Sequence, residues 1–220
     1  LSTGWPERLN LMDEAWVPNK YMAEEVCKNS GIFIPHYVVP HAFDMSIYQE
    51  DNEKLEIPEL EGRFVFYYIG DITRRKNIGA LLKAFHSEFS PDENVSIALK
   101  CSHPGFNPQQ TEAAIKEICY KVKDGLKLYP SESYYHKEVL ICDYVSEKEI
   151  MQIHSSFDCL LSSSFGEAWG IPIFDAMAMG KTPICTDTAG PSLFLENGGY
   201  LVKSSKQHCF GVSDTFAELY

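Results

Sequence analysis

The sequence contains no apolar stretch long enough to cross a bilayer. Its longest apolar runs, FVFYYIG and YVVP among them, are far shorter than the roughly 20 residues that a membrane-spanning helix needs. No signal-peptide pattern opens the chain. We therefore expect no transmembrane segment.

Paired cysteines and clustered metal ligands are also missing. The seven cysteines are scattered singly, without any C-x-x-C, which argues against a disulfide framework and a typical zinc site. None of the seven histidines pairs with another His or an acid at ligand spacing, so we expect no metal. Unpaired cysteines are typical of a reducing compartment, and we expect a cytoplasmic protein.

Positive charge is scarce. The chain has 19 Lys and Arg against 31 Asp and Glu, a formal net charge of −12, which argues against a broad surface for nucleic acid or anionic lipid. The exception is a run of three cations, Arg74, Arg75 and Lys76. The 220 residues, 45% hydrophobic and 23% charged, predict an ordinary globular chain of one to one and a half domains.

Several enzyme motifs are absent. No G-x-G-x-x-G follows a strand, which argues against a dinucleotide-binding oxidoreductase, and there is no Walker-type G-x-x-x-x-G-K-[ST]. The G-x-S-x-G nucleophile elbow is missing as well.

The sequence does contain a regular alternation of apolar runs and helical patterns. Helices are predicted over NIGALLKAFHSEF and within 109–124, and an irregular insertion over 124–138. Strands are predicted at RFVFYYIG, VSIALKC, EVLICDYV, DCLLSS, TPICTD and GYLV. Strands that are apolar on both faces indicate a parallel sheet covered on both sides, so the predicted fold class is α/β with a Rossmann-like sheet.

The chain divides into three predicted parts. Residues 1–45 contain a strand at EAWVP, a helix over about 20–29 with Asn19 as its N-cap and Gly31 as its stop, and a strand at HYVVP. The polar, acidic stretch 46–62 is typical of a linker. Residues 63–220 form the alternating domain.

Ligands of such sheets bind at the carboxyl ends of the strands, which indicates the loops 70–77, 143–147 and 162–172. In the last of these, Gly170 and Pro172 are typical of a helix start, whose free N–H groups attract anions. Glu167 and Asp175 flank that start, and carboxylates accept hydrogen bonds from neighbouring sugar hydroxyls. The pattern suggests a nucleotide-sugar site. The alternative is an ordinary helix start whose two acids are solvated or cap the helix.

The loop that follows the strand at RFVFYYIG supplies cations. Gly70 ends that strand, and Arg74, Arg75 and Lys76 precede a helix, where they could hold a diphosphate. Charge on a surface turn is also a common means of solubility, and this alternative stays open.

Taken together, these stretches resemble retaining glycosyltransferases of family 4, which have the GT-B architecture of two facing Rossmann-like domains. The family's E-x7-E motif corresponds to EAWGIPIFDAMAMGKTPI, which starts at Glu167. VVPHAFD, with His41, is similar to the family's domain hinge, and YYIGDITRRKNIGALLKAF to its strand, lysine turn and helix. DEAWVPNKYMAEEVCKNSG resembles the last helical unit of the N-terminal domain, so residues 1–45 would be its remnant.

The resemblance implies roles for individual residues. Glu167 would be the catalytic acid facing the transferred sugar, Asp175 would hold the ribose, and Lys76 would grip the diphosphate. The remaining donor-binding residues implied are Gly70, Arg75, Tyr144, Val145, Gly170, Ile171 and Pro172. No metal and no cofactor are implied beyond the nucleotide-diphosphate sugar, which is a substrate.

The sequence departs from the family pattern in three places. The second acid is Asp175 rather than Glu, so its carboxylate lies about 1.5 Å further back. The family's Arg after the strand glycine is replaced by Asp71, for which Arg75 could substitute. Residues 188–196 only approximate the family's glycine-rich loop.

The expected function is that of a glycosyltransferase fragment which binds a nucleotide sugar and, in a longer enzyme, transfers the sugar with retention. The acceptor, whether a glycan, a lipid-linked or a small molecule, is left open, and the expected partners include no nucleic acid. The chain does not begin with Met and lacks most of the family's C-terminal helices, so we expect a truncated enzyme. The alternatives are a non-catalytic nucleotide-sugar-binding module and, with less support, a GT-B epimerase or phosphorylase.

Overall fold

The fold is built around one parallel sheet of six strands. The computed structural model describes residues 4–49 and 52–205. The strands of the large sheet are β3 (Phe64–Asp71), β4 (Val95–Ser102), β5 (Val139–Ile141), β6 (Cys159–Ser162), β7 (Ile184–Thr186) and β8 (Tyr200–Val202). They lie in the order β5-β4-β3-β6-β7-β8, every neighbouring pair being parallel. The predicted fold class is confirmed.

Helices connect the strands. They are α2 (Ile78–Glu88), α3 (Pro108–Leu126), α4 (Glu147–Ser156), α5 (Ile171–Ala178) and the short α6 (Pro191–Phe194), while α1 (Trp5–Leu9) precedes them all. Two helices begin with a capping box, in which Asn107 or Ser146 caps the helix and a side chain three residues later bonds back to the cap. Helix α3 therefore begins one residue before the predicted range and also extends two residues beyond it.

The central strand β3 supplies side chains to both faces of the sheet. Val65 and Tyr67 belong to one core cluster, together with Ile153 and Leu160, whereas Tyr68 belongs to the other. This division follows from the twofold side-chain repeat of a strand. It explains why β3 is a continuous apolar run and not an alternating one.

The predicted insertion before β5 is partly ordered by buried side chains. Its first residues continue α3 as far as Leu126, and a 3-10 turn follows at Glu132–Tyr134. Tyr135 is buried and donates a hydrogen bond of 3.1 Å to the Lys123 carbonyl, while its own hydroxyl accepts one of 2.9 Å from the Leu128 N–H. The segment is thus packed against the end of α3.

The N-terminal part forms a small unit of its own. Strands β1 (Ala15–Val17) and β2 (His36–Val38) pair in parallel and enclose a helical connection. The predicted helix is present as a π-helical stretch, Met22–Cys27, followed by a 3-10 turn, Lys28–Ser30. Its start was correctly placed, because the Asn19 side chain accepts a hydrogen bond of 2.9 Å from the Met22 N–H.

The segment predicted as a linker packs against the large sheet. It contains two 3-10 turns, Met45–Tyr48 and Pro58–Leu60, whose last residues are both buried. The Leu55 N–H donates a hydrogen bond of 2.7 Å to the Ser156 hydroxyl at the end of α4. The acidic composition masked this packing, in which Tyr48 and Leu60 are buried and Leu55 and Ile57 pack against the core cluster of the sheet. The predicted domain boundaries stay a prediction.

No helix in residues 4–49 and 52–205 is both long and apolar enough to cross a membrane.

Candidate functional site

The candidate site lies where strands β3 and β6 end side by side. The chain leaving β3 forms a 3-10 turn, Arg74–Lys76, and the chain leaving β6 forms an irregular loop that leads to α5 at Ile171. Because β3 and β6 are parallel neighbours, both loops emerge at the same edge of the sheet. Two of the three loops indicated by the sequence therefore meet.

The meeting of these loops is built around one carboxylate. Glu167 Oε1 accepts a hydrogen bond of 2.7 Å from Arg75 Nη1 and another from Lys76 Nζ, forming ion pairs with both. A third bond, of 3.1 Å, comes from the Ser164 hydroxyl. The structure thus brings together the predicted catalytic acid and two of the predicted phosphate-binding cations.

The charges of this cluster are shielded from water. The side chains of Glu167 and Lys76 are 11% and 13% exposed, whereas Arg75 retains 38%. Burial alone would raise the pKa of Glu167, but the hydrogen bonds and charges of Lys76 and Arg75 outweigh it and lower that pKa. Glu167 is therefore ionised at neutral pH, and two cations face one anion.

Hydrogen bonds to backbone carbonyls join the two loops in addition to the ion pairs. Arg75 Nη1 donates to the Gly166 carbonyl at 2.8 Å, and the Phe165 N–H donates to the Arg75 carbonyl at 2.9 Å. Further along, Asn77 and Ser163 exchange two bonds, of 3.2 and 2.8 Å. A turn after one strand is thereby fixed against the loop after its neighbour.

A narrow cleft opens between this cluster and the start of α5. Its lining includes Lys76, Glu167, Gly170 and Pro172. The residue before the helix, Gly170, has φ +88°, and a Cβ there would lie 3.1 Å from Ile173 Cδ1 and 3.2 Å from Pro191 Cγ. The turn therefore requires glycine, and it brings the backbone of Gly170 to the cleft.

Ile171, the first residue of α5, is 47% exposed, so the helix start is accessible. The first N–H groups of a helix carry partial positive charge. In α5 the Ile171 N–H is the one available, because Pro172 has no N–H and the Ile173 N–H bonds to the Gly170 carbonyl at 2.9 Å. An anion at this place could accept hydrogen bonds from the helix start on one side and from Lys76 and Arg75 on the other.

Asp175 lies elsewhere. It is 5% exposed, and its Oδ1 accepts a hydrogen bond of 2.7 Å from the hydroxyl of Tyr48 in the 46–62 segment. Burial raises the pKa of Asp175, and the bond from Tyr48 opposes that rise. Behind it, His154 Nε2 lies 4.0 Å from Oδ2, and burial lowers the pKa of this histidine to about 3. The carboxylate therefore faces the linker segment and not the cleft around Glu167.

Three other predicted site residues have less defined surroundings. Tyr144, beside Val145 in the loop after β5, is 79% exposed and donates a long hydrogen bond of 3.4 Å to the Phe106 carbonyl. Gly70 lies near the end of β3, where a Cβ would come within 2.7 Å of the Tyr68 hydroxyl. Their roles in donor binding stay predictions.

Two residues that the sequence pattern did not single out support the loop between β6 and α5, which carries Glu167. Trp169 packs among aromatic rings of two segments, with centroid distances of 5.5 Å to His41, 6.2 Å to Phe43 and 5.4 Å to Phe194. Gly190 donates its N–H to the Glu167 carbonyl at 3.0 Å. The approximate match of 188–196 to a glycine-rich loop was the available signal for Gly190, and nothing local marked Trp169.

Comparison with protein families gives one match. Residues 63–211 match the family described as "Glycosyl transferases group 1". No curated protein sequence matches the chain.

Solved structures show where this fold recurs. Sucrose-phosphate synthase from Thermosynechococcus elongatus aligns over 91% of this chain and 48% of its own, at 16% identity and a TM-score of 0.69. Anabaena HepE, in complex with UDP-glucose, aligns over 92% of this chain and 55% of its own, at 16% identity and a TM-score of 0.66. A C-terminal domain of a group 1 glycosyl transferase from Francisella tularensis aligns over 75% and 82%, at 19% identity and a TM-score of 0.53. The chain thus spans about half the length of the first two proteins.

The close approach at Gly190 generates a first prediction. A Cβ at this position would lie 2.3 Å from the backbone oxygen of Ala168, so Gly190→Ala must displace the loop that carries Glu167. We expect a loss of about 1–3 kcal/mol in the free energy of unfolding, measured by urea denaturation. The control is Gly79→Ala in helix α2, where a Cβ meets nothing within 4 Å. It should stabilise by about 0.5–1 kcal/mol, and equal effects of both changes would contradict the prediction.

The buried bond between Tyr48 and Asp175 generates a second prediction. Tyr48→Phe leaves the Asp175 carboxylate buried without its hydroxyl donor, which should cost about 1–3 kcal/mol at pH 7. Tyr37→Phe, at a tyrosine that is 53% exposed, should change stability by less than about 0.5 kcal/mol.

The loss of stability in Tyr48→Phe should depend on pH, and the direction of this dependence follows from the pKa of Asp175. The folded pKa of Asp175 is raised, so the stability that this group contributes is full at low pH and is lost as pH rises through the folded pKa. Removing the bond that lowers this pKa raises it further. The deficit should therefore shrink as pH falls into the ordinary carboxyl range, and a deficit independent of pH would contradict the assignment.

Proposed function

The chain belongs to the group 1 glycosyl transferases, and on that premise we propose that it is the donor-binding part of a retaining glycosyltransferase that uses a nucleotide-diphosphate sugar. The observation that carries the proposal is the cluster of Glu167, Arg75 and Lys76 beside the start of α5. Groups that can donate hydrogen bonds to an anion, and an acid that would face the sugar, then lie at one edge of the sheet.

The diphosphate would lie between Lys76, Arg75 and the backbone of Gly170, Ile171 and Pro172. Two cations against one carboxylate leave a net positive charge, which suits an anionic group. The same donors would stabilise the charge that develops on the leaving diphosphate, so we propose that no divalent metal is needed.

Glu167 would be released when the diphosphate takes over its cations. Its carboxylate then becomes available to the hydroxyls or the anomeric centre of the sugar. Glu167 pairs with the same two cations that the diphosphate would need, so it would compete with the sugar donor for Lys76 and Arg75. The remaining donor roles, for Gly70, Tyr144, Val145 and Asp175, are retained as predictions, with Asp175 requiring release from Tyr48 before it could reach a ribose.

The proposal predicts metal-independent binding of a nucleotide diphosphate. UDP is the first probe, because the similar Anabaena HepE structure contains UDP-glucose. Calorimetric titration in EDTA should show binding that Lys76→Ala weakens by about tenfold or more, since a charge-assisted bond to phosphate is lost. Lys83→Ala, at an exposed lysine of α2, is the control. GDP and ADP are titrated in parallel, and absence of binding by all three, or binding only with magnesium, would overturn the proposal.

Competition between Glu167 and the diphosphate yields a separate prediction. Glu167→Gln should bind UDP about three- to tenfold more tightly than the wild type, because a charge that opposes the phosphate is removed. The pKa of Glu167 is lowered, so this carboxylate stays charged between pH 7.5 and 5.5, and the variant should bind UDP more tightly across that range. Weaker UDP binding by this variant would show that the carboxylate supports the diphosphate instead.

A second candidate function is a module that binds a nucleotide sugar without turnover. The buried bond of Asp175 to Tyr48 favours it, because one of the two acids faces away from the cleft. Slow hydrolysis of a UDP-sugar by the intact chain, abolished in Glu167→Gln, would exclude this candidate. Donor binding without hydrolysis would support it.

A further inference from the structure

The loop that carries Glu167 is held by a residue of the N-terminal unit. The Nδ2 of Asn19 donates a hydrogen bond to the carbonyl of Ala168, the residue next to Glu167, although the two are 149 positions apart. Asn19 is 4% exposed. A buried amide that bridges two distant segments fixes their relative position, because neither half of the bond can exchange for water without reorganisation.

The two ends of the Asn19 amide have different partners. Its Oδ1 accepts from the Met22 N–H at 2.9 Å and so caps the helical connection between β1 and β2. Since the oxygen is committed to the cap, the nitrogen points toward Ala168. Capping alone would be served equally by Ser or Asp. Ionised aspartate has no donor, and the serine hydroxyl lies one atom closer to the backbone than the amide nitrogen, so asparagine suits the cap and the more distant loop together.

A second contact reinforces the same connection. Trp169, the next residue of the loop, packs against His41 at 5.5 Å and Phe43 at 6.2 Å between ring centroids. Phe43 in turn stacks on Phe174 of α5 at 4.1 Å. Ala168 and Trp169 are therefore both held by residues that precede the linker segment.

These anchors differ from the ion pairs in what a donor would do to them. The side chain of Glu167 is held by Arg75 and Lys76, the same cations that would turn to a bound diphosphate. The Asn19 bond and the bond of 3.0 Å from the Gly190 N–H to the Glu167 carbonyl involve only the backbone of the loop. They would remain when the ion pairs are exchanged, and would then decide where Glu167 lies.

We propose that Asn19 is a positioning residue, which places Glu167 against the bound sugar by holding the Ala168 carbonyl from the N-terminal unit. This inference rests on the proposed function for the role of Glu167. It extends that function by making the position of the acid depend on the placement of residues 15–38.

The test compares Asn19→Ser with the wild type. Serine keeps the helix cap, but its hydroxyl is one atom shorter than the asparagine amide and does not extend to the Ala168 carbonyl, so the change removes that bond selectively. Affinities for UDP and UDP-glucose are measured by titration of the 220-residue chain. We expect affinity for UDP-glucose to fall by about fivefold or more, with UDP affinity changed by less than about twofold. Asn29→Ser, at an exposed asparagine of the same helical segment, is the control.

A double-mutant comparison separates positioning from general stability. In a Glu167→Gln background, Asn19→Ser should no longer alter the ratio of UDP-glucose to UDP affinity, because its effect acts through the carboxylate. A ratio that still changes in that background, or an equal loss of both ligands, would overturn the proposal.

Hydrogen exchange tests the mechanical part without any ligand. Asn19→Ser should speed amide exchange in residues 164–170 while exchange in residues 22–27 stays as in the wild type. Unchanged exchange in 164–170 would overturn the inference. Failure of the wild type to bind UDP or UDP-glucose would overturn the proposed function instead, and the exchange result alone would then decide whether Asn19 orders the loop.

Discussion

The ionised, mostly buried carboxylate of Glu167 is the constraint on which the site depends. A carboxylate with an 11% exposed side chain must be compensated, and Arg75 and Lys76 are the groups that do so. The cations follow β3 and the acid follows β6. Their attraction therefore helps to hold together two loops that are not paired as strands. The lowered pKa of Glu167 reflects this compensation, since burial alone would have raised it.

A second buried acid, away from the candidate site, is also compensated by basic side chains. Glu138, just before β5, accepts hydrogen bonds of 2.7 Å from His86 on α2 and 2.7 Å from Lys123 on α3. Burial would raise the pKa of Glu138, yet these two partners lower it. This acid joins two helices to the edge of the sheet at the end of β5 that is opposite to the candidate site. Buried acids that are paired with cations thus connect separate segments at both ends of the sheet, Glu167 at one and Glu138 at the other.

Much of this arrangement was predictable from local patterns. The six strands of the large sheet, helices α2 and α3 and the helix start at Gly170 and Pro172 follow from apolar runs and turn residues. Placing Lys76 and Glu167 at one edge of the sheet needed only the rule that ligands bind at the carboxyl ends of parallel strands.

The remaining features depend on contacts between distant residues, which no local pattern reveals. The acidic segment 46–62 appeared to be a free linker, yet Tyr48 and Leu60 are buried. The sequence placed Asp175 one methylene short of a ribose contact, but its partner is a hydroxyl 127 positions away. The packing of Trp169 against His41 joins residues far apart in sequence, so the motif alone did not indicate it.

The succession of contacts that follows Pro40 also decides how the N-terminal unit could move. His41 and Phe43 are packed against Trp169, and Tyr48 is bonded to Asp175, so the chain from His41 to Tyr48 belongs mechanically to the large domain. Any rigid rotation of the smaller unit must therefore pivot near Val39 and Pro40. Pro40 has a fixed φ, which leaves few torsions to turn about. Such a rotation would separate Asn19 from Ala168 and remove one support of the loop that carries Glu167.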